Sequence, residues 1–162
     1  MPRLPPRFAL LLALASPAPA LLAADTAPPA DAALGKQLAA MDIKYEVDGD
    51  GDYRMTFELE DGRTQMVFAR SPVESSGSHR IREIWSPGYR YSTPELDAKV
   101  ANRLLENSAE MILGGWVRQK SMAMFVVKIP EKATPQELRD AIEAAAACAD
   151  RMEKELTSKD DL

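Results

Sequence analysis

Glu110 to Pro130 reads EMILGGWVRQKSMAMFVVKIP, and the reading of this stretch decides the fold. It is the longest β-like run in the chain, it lies between two helical patterns with clear start signals, and it holds one of the two tryptophans. The spacing predicts a central hairpin, Met111 to Arg118 and Met122 to Ile129, turning near Gln119–Ser121. Gly114-Gly115 is too short for a phosphate cradle and precedes Trp116 instead of a helix start. Inside a strand such glycines mark a bulge or the close approach of another backbone.

On either side the periodicity changes. Thr134-Pro135-Gln136-Glu137 is a full capping box opening a last helix, Pro135 to Leu156. Its apolar stripe is Leu138, Ile142, Ala145, Ala149, Met152 and Leu156, the spacing of one helix face. Before the hairpin, Thr93-Pro94-Glu95 reads as another helix start, with Leu96, Val100, Leu104, and also Ala101 and Leu105, on its buried face and an end near Asn107. Further back, Asp31 can cap a short helix, Ala32 to Met41, with Leu34, Leu38 and Met41 on one side. Between the first two helices the period is two. Ile43, Tyr45 and Val47 alternate with Lys44 and Glu46, and Tyr53, Met55, Phe57 and Leu59 alternate with charged or polar neighbours. Asp61-Gly62 is a two-residue hairpin signal, with Glu60 and Arg63 placed to pair across it. The return strand, Thr64 to Ala69, is expected to turn Met66 and Phe68 inward. Ser71 to Ser78 reads as a loop, and His79 to Trp85 as a more polar strand suited to an edge, ended by Ser86-Pro87-Gly88. Tyr89-Arg90-Tyr91 then crosses to the second helix. Helix, strands, helix, hairpin, helix is the order of an α+β fold with an antiparallel sheet of five or six strands and three helices.

The chain begins with a stretch of another kind. Arg3 and Arg7, an apolar run from Phe8 to Ala15, and small residues from Ser16 to Ala24 have the order of a Sec-type signal peptide. Ala18-Pro19-Ala20 and Leu22-Ala23-Ala24 both offer cleavage sites, after Ala20 or Ala24. The apolar run is far short of the roughly 20 residues that span a bilayer. No cysteine suits a lipid anchor there, and the arginines are not a twin pair. The expected organisation is a signal peptide at 1–24, a short proline-rich linker at 25–30, one domain at 31–156 and a charged, frayed tail at 157–162. The expected address is the periplasm or the exterior, without a stable membrane anchor. Losing Arg3 and Arg7 takes the 20 basic side chains to 18 against an unchanged 25 acidic ones, a net charge of −7. Such a charge disfavours nucleic acid and anionic membranes as partners. Cys148 is alone, so no internal disulfide can form.

No residue set names a reaction. Asp48, Asp50 and Asp52 have the spacing of a calcium loop, but Tyr53 and Leu59 stand where glycine and the bidentate glutamate belong, and a strand follows. They read as a polar turn. His79 is the only histidine; Ser71, Ser75, Ser76 and Ser78 lie near it, yet no G-x-S-x-G occurs and a zinc set lacks its ligands. Cys148, one position off the helix stripe, reads as a small buried residue. No catalytic, cofactor or metal residue is therefore assigned. Trp85, Tyr89 and Tyr91, beside a proline-glycine turn, and Trp116 remain as residues of a partner-binding surface, since Trp and Tyr are enriched at interfaces. Cover for the helix–sheet core is the other reading of the same aromatics.

From Ala32 to Leu156 the chain resembles the YbjN family of bacterial sensory-transduction regulators, which have the type III secretion chaperone-like fold. The likeness lies in Ile43-Lys44-Tyr45-Glu46-Val47-Asp48-Gly49-Asp50-Gly51 after a short helix, and in Val100-Ala101-Asn102-Arg103-Leu104-Leu105-Glu106-Asn107 before the hairpin. It extends to Ile129-Pro130 followed by Thr134-Pro135-Gln136-Glu137-Leu138. The resemblance implies a non-enzymatic module that binds protein, commonly as a homodimer, through its sheet and a helix. The expectation is an exported interaction module of regulatory type. A periplasmic protein binding a small lipid or metabolite is the alternative, and a hydrolase using His79 is a more remote one.

Overall fold

Asp31 opens the first helix as expected: its Oδ1 accepts the amides of Ala33 and Leu34 at 2.9 and 3.3 Å. In the computed structural model, which describes residues 28–162, this helix, α1, spans Ala32–Ala40 and buries Leu34 and Leu38. The signal peptide expected at 1–24 lies outside the described residues. The strands are β1 (Glu46–Val47), β2 (Tyr53–Glu58), β3 (Thr64–Ser76), β4 (His79–Arg90), β5 (Gly115–Gln119) and β6 (Met122–Pro130). They form one antiparallel sheet in the order β1-β2-β3-β4-β6-β5. Helix α2 (Ala98–Glu110) connects β4 to β5, and α3 (Pro135–Thr157) follows β6. The described residues are of the α+β class, with six strands and three α-helices.

All three helices contribute to one face of the sheet. Leu34 and Leu38 of α1, Leu138, Ile142 and Ala145 of α3, and Met55, Val67, Ile84, Phe125 and Val127 of the strands form one buried cluster. A second, smaller one joins Leu104 of α2, Ala123 of β6 and Met152 of α3. Alanines at 141, 145, 146 and 149 keep the inner surface of α3 low, so it lies close on the sheet. The approach is tightest at Gly88, where a Cβ would stand 2.3 Å from Trp116 and 3.1 Å from the Ala149 carbonyl.

Several expectations are corrected. The hairpin exists, but its first strand starts at Gly115, because α2 runs on to Glu110 and Gly114 turns the chain at φ +81°. β5 is an edge, whereas β4, expected at the edge, pairs with β3 on one side and β6 on the other. The charges that made β4 look peripheral are matched: Arg82 with Asp31, Glu83 with Lys128 and Arg80 with Glu131. The sheet register buries Gln65, Val67 and Ala69 on the helix side, so Met66 and Phe68 point to the opposite face. Ser71–Ser76 is strand: beyond an irregularity after Ala69, Val73 to Ser76 pair with β4 while Glu74, Ser75 and Ser76 stay exposed and Ser71 is half-buried, and the turn is confined to Gly77 and Ser78. Ser86-Pro87-Gly88 does not end β4; the ladder passes through a bulge between Pro87 and Tyr89. α2 is capped by Asp97, whose Oδ1 accepts the Lys99 and Val100 amides, and not by Thr93. At the β2–β3 turn the register places Glu58 opposite Thr64, and the Leu59 amide donates to Arg63 O. The loop is thus Glu60–Gly62, one residue longer than the two-residue form.

Candidate functional site

The sheet face away from the helices is the one broad surface that no element covers among the described residues. Cross-strand pairing puts Phe68 beside Trp85 and Trp85 beside Val126, with Met66 and Met124 flanking them. Val126 and Met124 are 4 % and 7 % exposed, whereas Phe68 and Trp85 are only half-buried. A groove of about 410 Å³ runs over this floor from the Asp48–Asp52 turn to the start of β6. Methionine suits such a floor, since its flexible, polarizable side chain accommodates varied partners.

At one end of the groove, the Arg70 guanidinium lies 4.8 Å from the centre of the Trp85 ring, and its Nε is 2.5 Å from Asp52 Oδ2. That pair meets as charges with the N–H directed off the hydrogen-bond axis. The Trp85 indole donates to Glu83 Oε2 at 2.9 Å. Trp85 is therefore held by a cation on its face and a carboxylate at its edge, and the rest of the ring stays open. The opposite end is basic, with Arg90 and Lys120 on the rim.

The other three aromatic candidates do not join this surface. The bulge after Pro87 turns Tyr89 to the helix side, where it packs against Leu104, Ala123 and Met152. Tyr91 is 8 % exposed; its hydroxyl donates to Lys120 O at 2.6 Å and accepts from Arg118 Nε at 2.7 Å. The Trp116 indole donates to Asn107 Oδ1 at 2.8 Å, edge-on to Phe125. So Trp85 faces the open side, and Tyr89, Tyr91 and Trp116 are cover for the core.

Asn107 also accepts from Cys148 Sγ at 3.3 Å. Burial pushes the thiol pKa up against the opposing effect of Arg151, which keeps the sulfur protonated. The Asp48 turn is an internal cap: Asp48 Oδ1 accepts the amides of Asp50 and Asp52, and Asp52 accepts from Ser71 N at 2.7 Å. The Asp48 carboxylate is thus taken up by backbone amides, and that of Asp52 by the Ser71 amide and Arg70. His79 is exposed at the β3–β4 turn, with no hydrogen bond to its ring among the described residues. Ser71 Oγ is spent on Gly51 O and on the Asp31 amide.

Sequence reasoning missed two features. Asp150, Glu153 and Asp160 bring carboxylates together, but Arg63 sits among them at 2.5, 3.3 and 3.8 Å, so the cation they face is a guanidinium. Burial pushes the pKa of Glu153 up, opposed by the Asp161 amide and by Arg63. The second is an apolar patch beside the β5 edge: Ile112 is 98 % exposed, with Leu105, Leu113 and Val117 near it in the fold. Part of that edge is closed, because Ser108 Oγ of α2 accepts the Trp116 amide at 2.9 Å. In comparison with known proteins, the chain matches no family model and no curated sequence. No helix among the described residues is long and apolar enough to cross a membrane.

Proposed function

We propose that this chain is an exported, non-enzymatic protein-interaction module of regulatory type, binding a partner or a second copy through its helix-free sheet face. The observation that carries the reading is the half-buried apolar floor of Met66, Phe68 and Trp85 on that face. A sheet normally buries one face, and a second apolar face left open marks an interaction surface. The order of elements, with β5–β6 joining α2 to α3, supports the likeness to the YbjN family and the secretion chaperone-like fold. The exposed patch at Ile112 and Leu113 supports self-association as well.

Light scattering on the purified protein, together with retention of a periplasmic partner on the immobilised chain, tests this. A dimer or a retained partner that Trp85→Glu abolishes supports the reading. A strict monomer at all concentrations with nothing retained overturns it. The second reading, a small-molecule carrier, draws on the groove volume, which lies in the range of ligand sites. A thermal-shift screen with lipids and metal ions separates the two, since a ligand of the folded form raises Tm.

A further inference from the structure

Two cavities meet at the end of the sheet where β4 ends and β6 begins. One is the groove of about 410 Å³ on the open face; the other, about 340 Å³, lies between Tyr91 and the end of α3. Both are lined by Arg90, Ser121 and Leu162, so these residues form the partition between them. Leu162 is 7 % exposed, a deep burial for a residue in a segment of mostly charged side chains.

The tail reaches this position through specific bonds and is not frayed. Ser158 turns the chain with left-handed φ +57°. Arg63 Nη1 then donates to Lys159 O at 2.7 Å, Thr64 N donates to Asp160 Oδ1 at 3.2 Å, and Asp161 N donates to Glu153 Oε1 at 2.8 Å. Two of these contacts read the tail's main chain, which any extended peptide would offer. Beside Leu162, the Arg90 side chain is exposed and has no hydrogen bond or ion pair among the described residues, while Arg54, Arg63, Arg70, Arg80, Arg82 and Arg103 each hold a carboxylate. Together they make a receptor for chain with an apolar anchor, main-chain groups and an acidic flank, with two exposed cations on its rim, Arg90 and Lys120, that hold no carboxylate among the described residues.

We propose that Lys159–Leu162 is a tethered occupant of a peptide-docking site. The partner of this face is then an extended segment with acidic residues next to a large apolar one, which displaces the tail to bind. The inference rests on the reading of the open face as an interaction surface. It adds the partner's chemistry, set by Arg90 and Lys120, and a competitor within the chain. Lifting Leu162 opens the partition between the two cavities, leaving Arg90 and Ser121 on its rim. A tether gives the tail a high effective concentration, so a free peptide of the same sequence competes poorly against it.

The test uses a fluorescein-labelled peptide of sequence SKDDL, the segment Ser158–Leu162, and follows its anisotropy. The intact protein is compared with its Leu162→Asp variant and with a variant lacking Lys159–Leu162, each checked by circular dichroism. Opening the site strengthens peptide binding at least about tenfold, and Arg90→Glu in the opened protein removes the gain. The Leu162→Asp variant vacates the apolar anchor alone and keeps the chain at full length, so a shortened chain that fails to fold does not end the test. Equal affinity of the intact and opened proteins overturns the proposal, as does no binding to a folded, opened protein. Either result leaves the Trp85-dependent association a separate question, since that is read by light scattering on the intact chain.

Discussion

Asp31 serves three neighbours at once. One carboxylate oxygen caps α1, the other pairs with Arg82, and its carbonyl accepts the Tyr53 hydroxyl at 2.8 Å. Burial pushes its pKa up, but the bonds from Arg82, Ala33 and Leu34 outweigh that, and the pKa lies below its ordinary 3.8. A depressed carboxylate contributes stability that is fully present above pH 3.8 and is lost as pH falls through the folded-state pKa. Asp31→Asn should therefore lower the urea midpoint at pH 7 and flatten its acid-side decline; an unchanged decline below pH 3.8 would show that Asp31 is not its source. Cys148 gives a second test at this scale. Its buried, protonated thiol should resist iodoacetamide in the native protein and react fully in denaturant. Rapid native labelling would contradict the bond to Asn107. That Cys148 is buried follows from its place near an apolar stripe. Its partner, Asn107, could not be foreseen, because 41 residues separate the two and only packing of α2 on α3 joins them.

Among the elements, the caps were the most legible. Thr134 and Glu137 form the expected reciprocal pair at the start of α3. Thr134→Ala should cost about 1 kcal/mol in chemical denaturation; no measurable loss would mean that packing alone holds the helix start. The second helix was harder, since Thr93 and Asp97 are both competent caps four residues apart. The chain spends Thr93 to Leu96 on crossing from the sheet, with Arg118 donating to Pro94 O. Gly114 shows what a strand-like run of letters conceals. At φ +81° it lets the chain leave α2 for β5, and an added Cβ would stand 2.6 Å from Val126 O. Gly114→Ala should destabilise by about 1–3 kcal/mol through strained backbone, visible as a lower Tm. A neutral result would mean the turn can relax.

For the whole molecule, the question is which surfaces remain for others. Three helices on one side leave the other to Phe68 and Trp85, and the β5 side leaves Ile112 and Leu113. If the latter patch joins two copies, Ile112→Asp should convert a dimer to a monomer in light scattering while circular dichroism shows the fold intact, since that side chain is 98 % exposed. A dimer that persists would move the contact to the Trp85 face. Of the four aromatics that composition picked out as a surface, only Trp85 lies on the open side. The single-residue bulge after Pro87 rotates Tyr89 inward, and a bulge changes every facing beyond it.

The sequence by itself determined the class of most segments, because period, caps and turn residues are local properties of the chain; Ser71–Ser76, polar enough to read as a loop, is strand only because β4 pairs with it. Alternation at Tyr53 to Phe57, the stripe of α3 and the capping residues Asp31 and Thr134 needed no tertiary information. What only the tertiary structure decided is which face is covered and which strand is outermost. Met66 and Phe68 alternate with Val67 and Ala69, all four apolar, so either parity buries a hydrophobic set. Pairing with β2 and β4 and the close seat of an alanine-lined α3 favour the smaller pair inside. The larger side chains are left on the open face. The same packing exposes Trp85 and brings Leu162 to the end of its groove, a juxtaposition that no stretch of sequence contains.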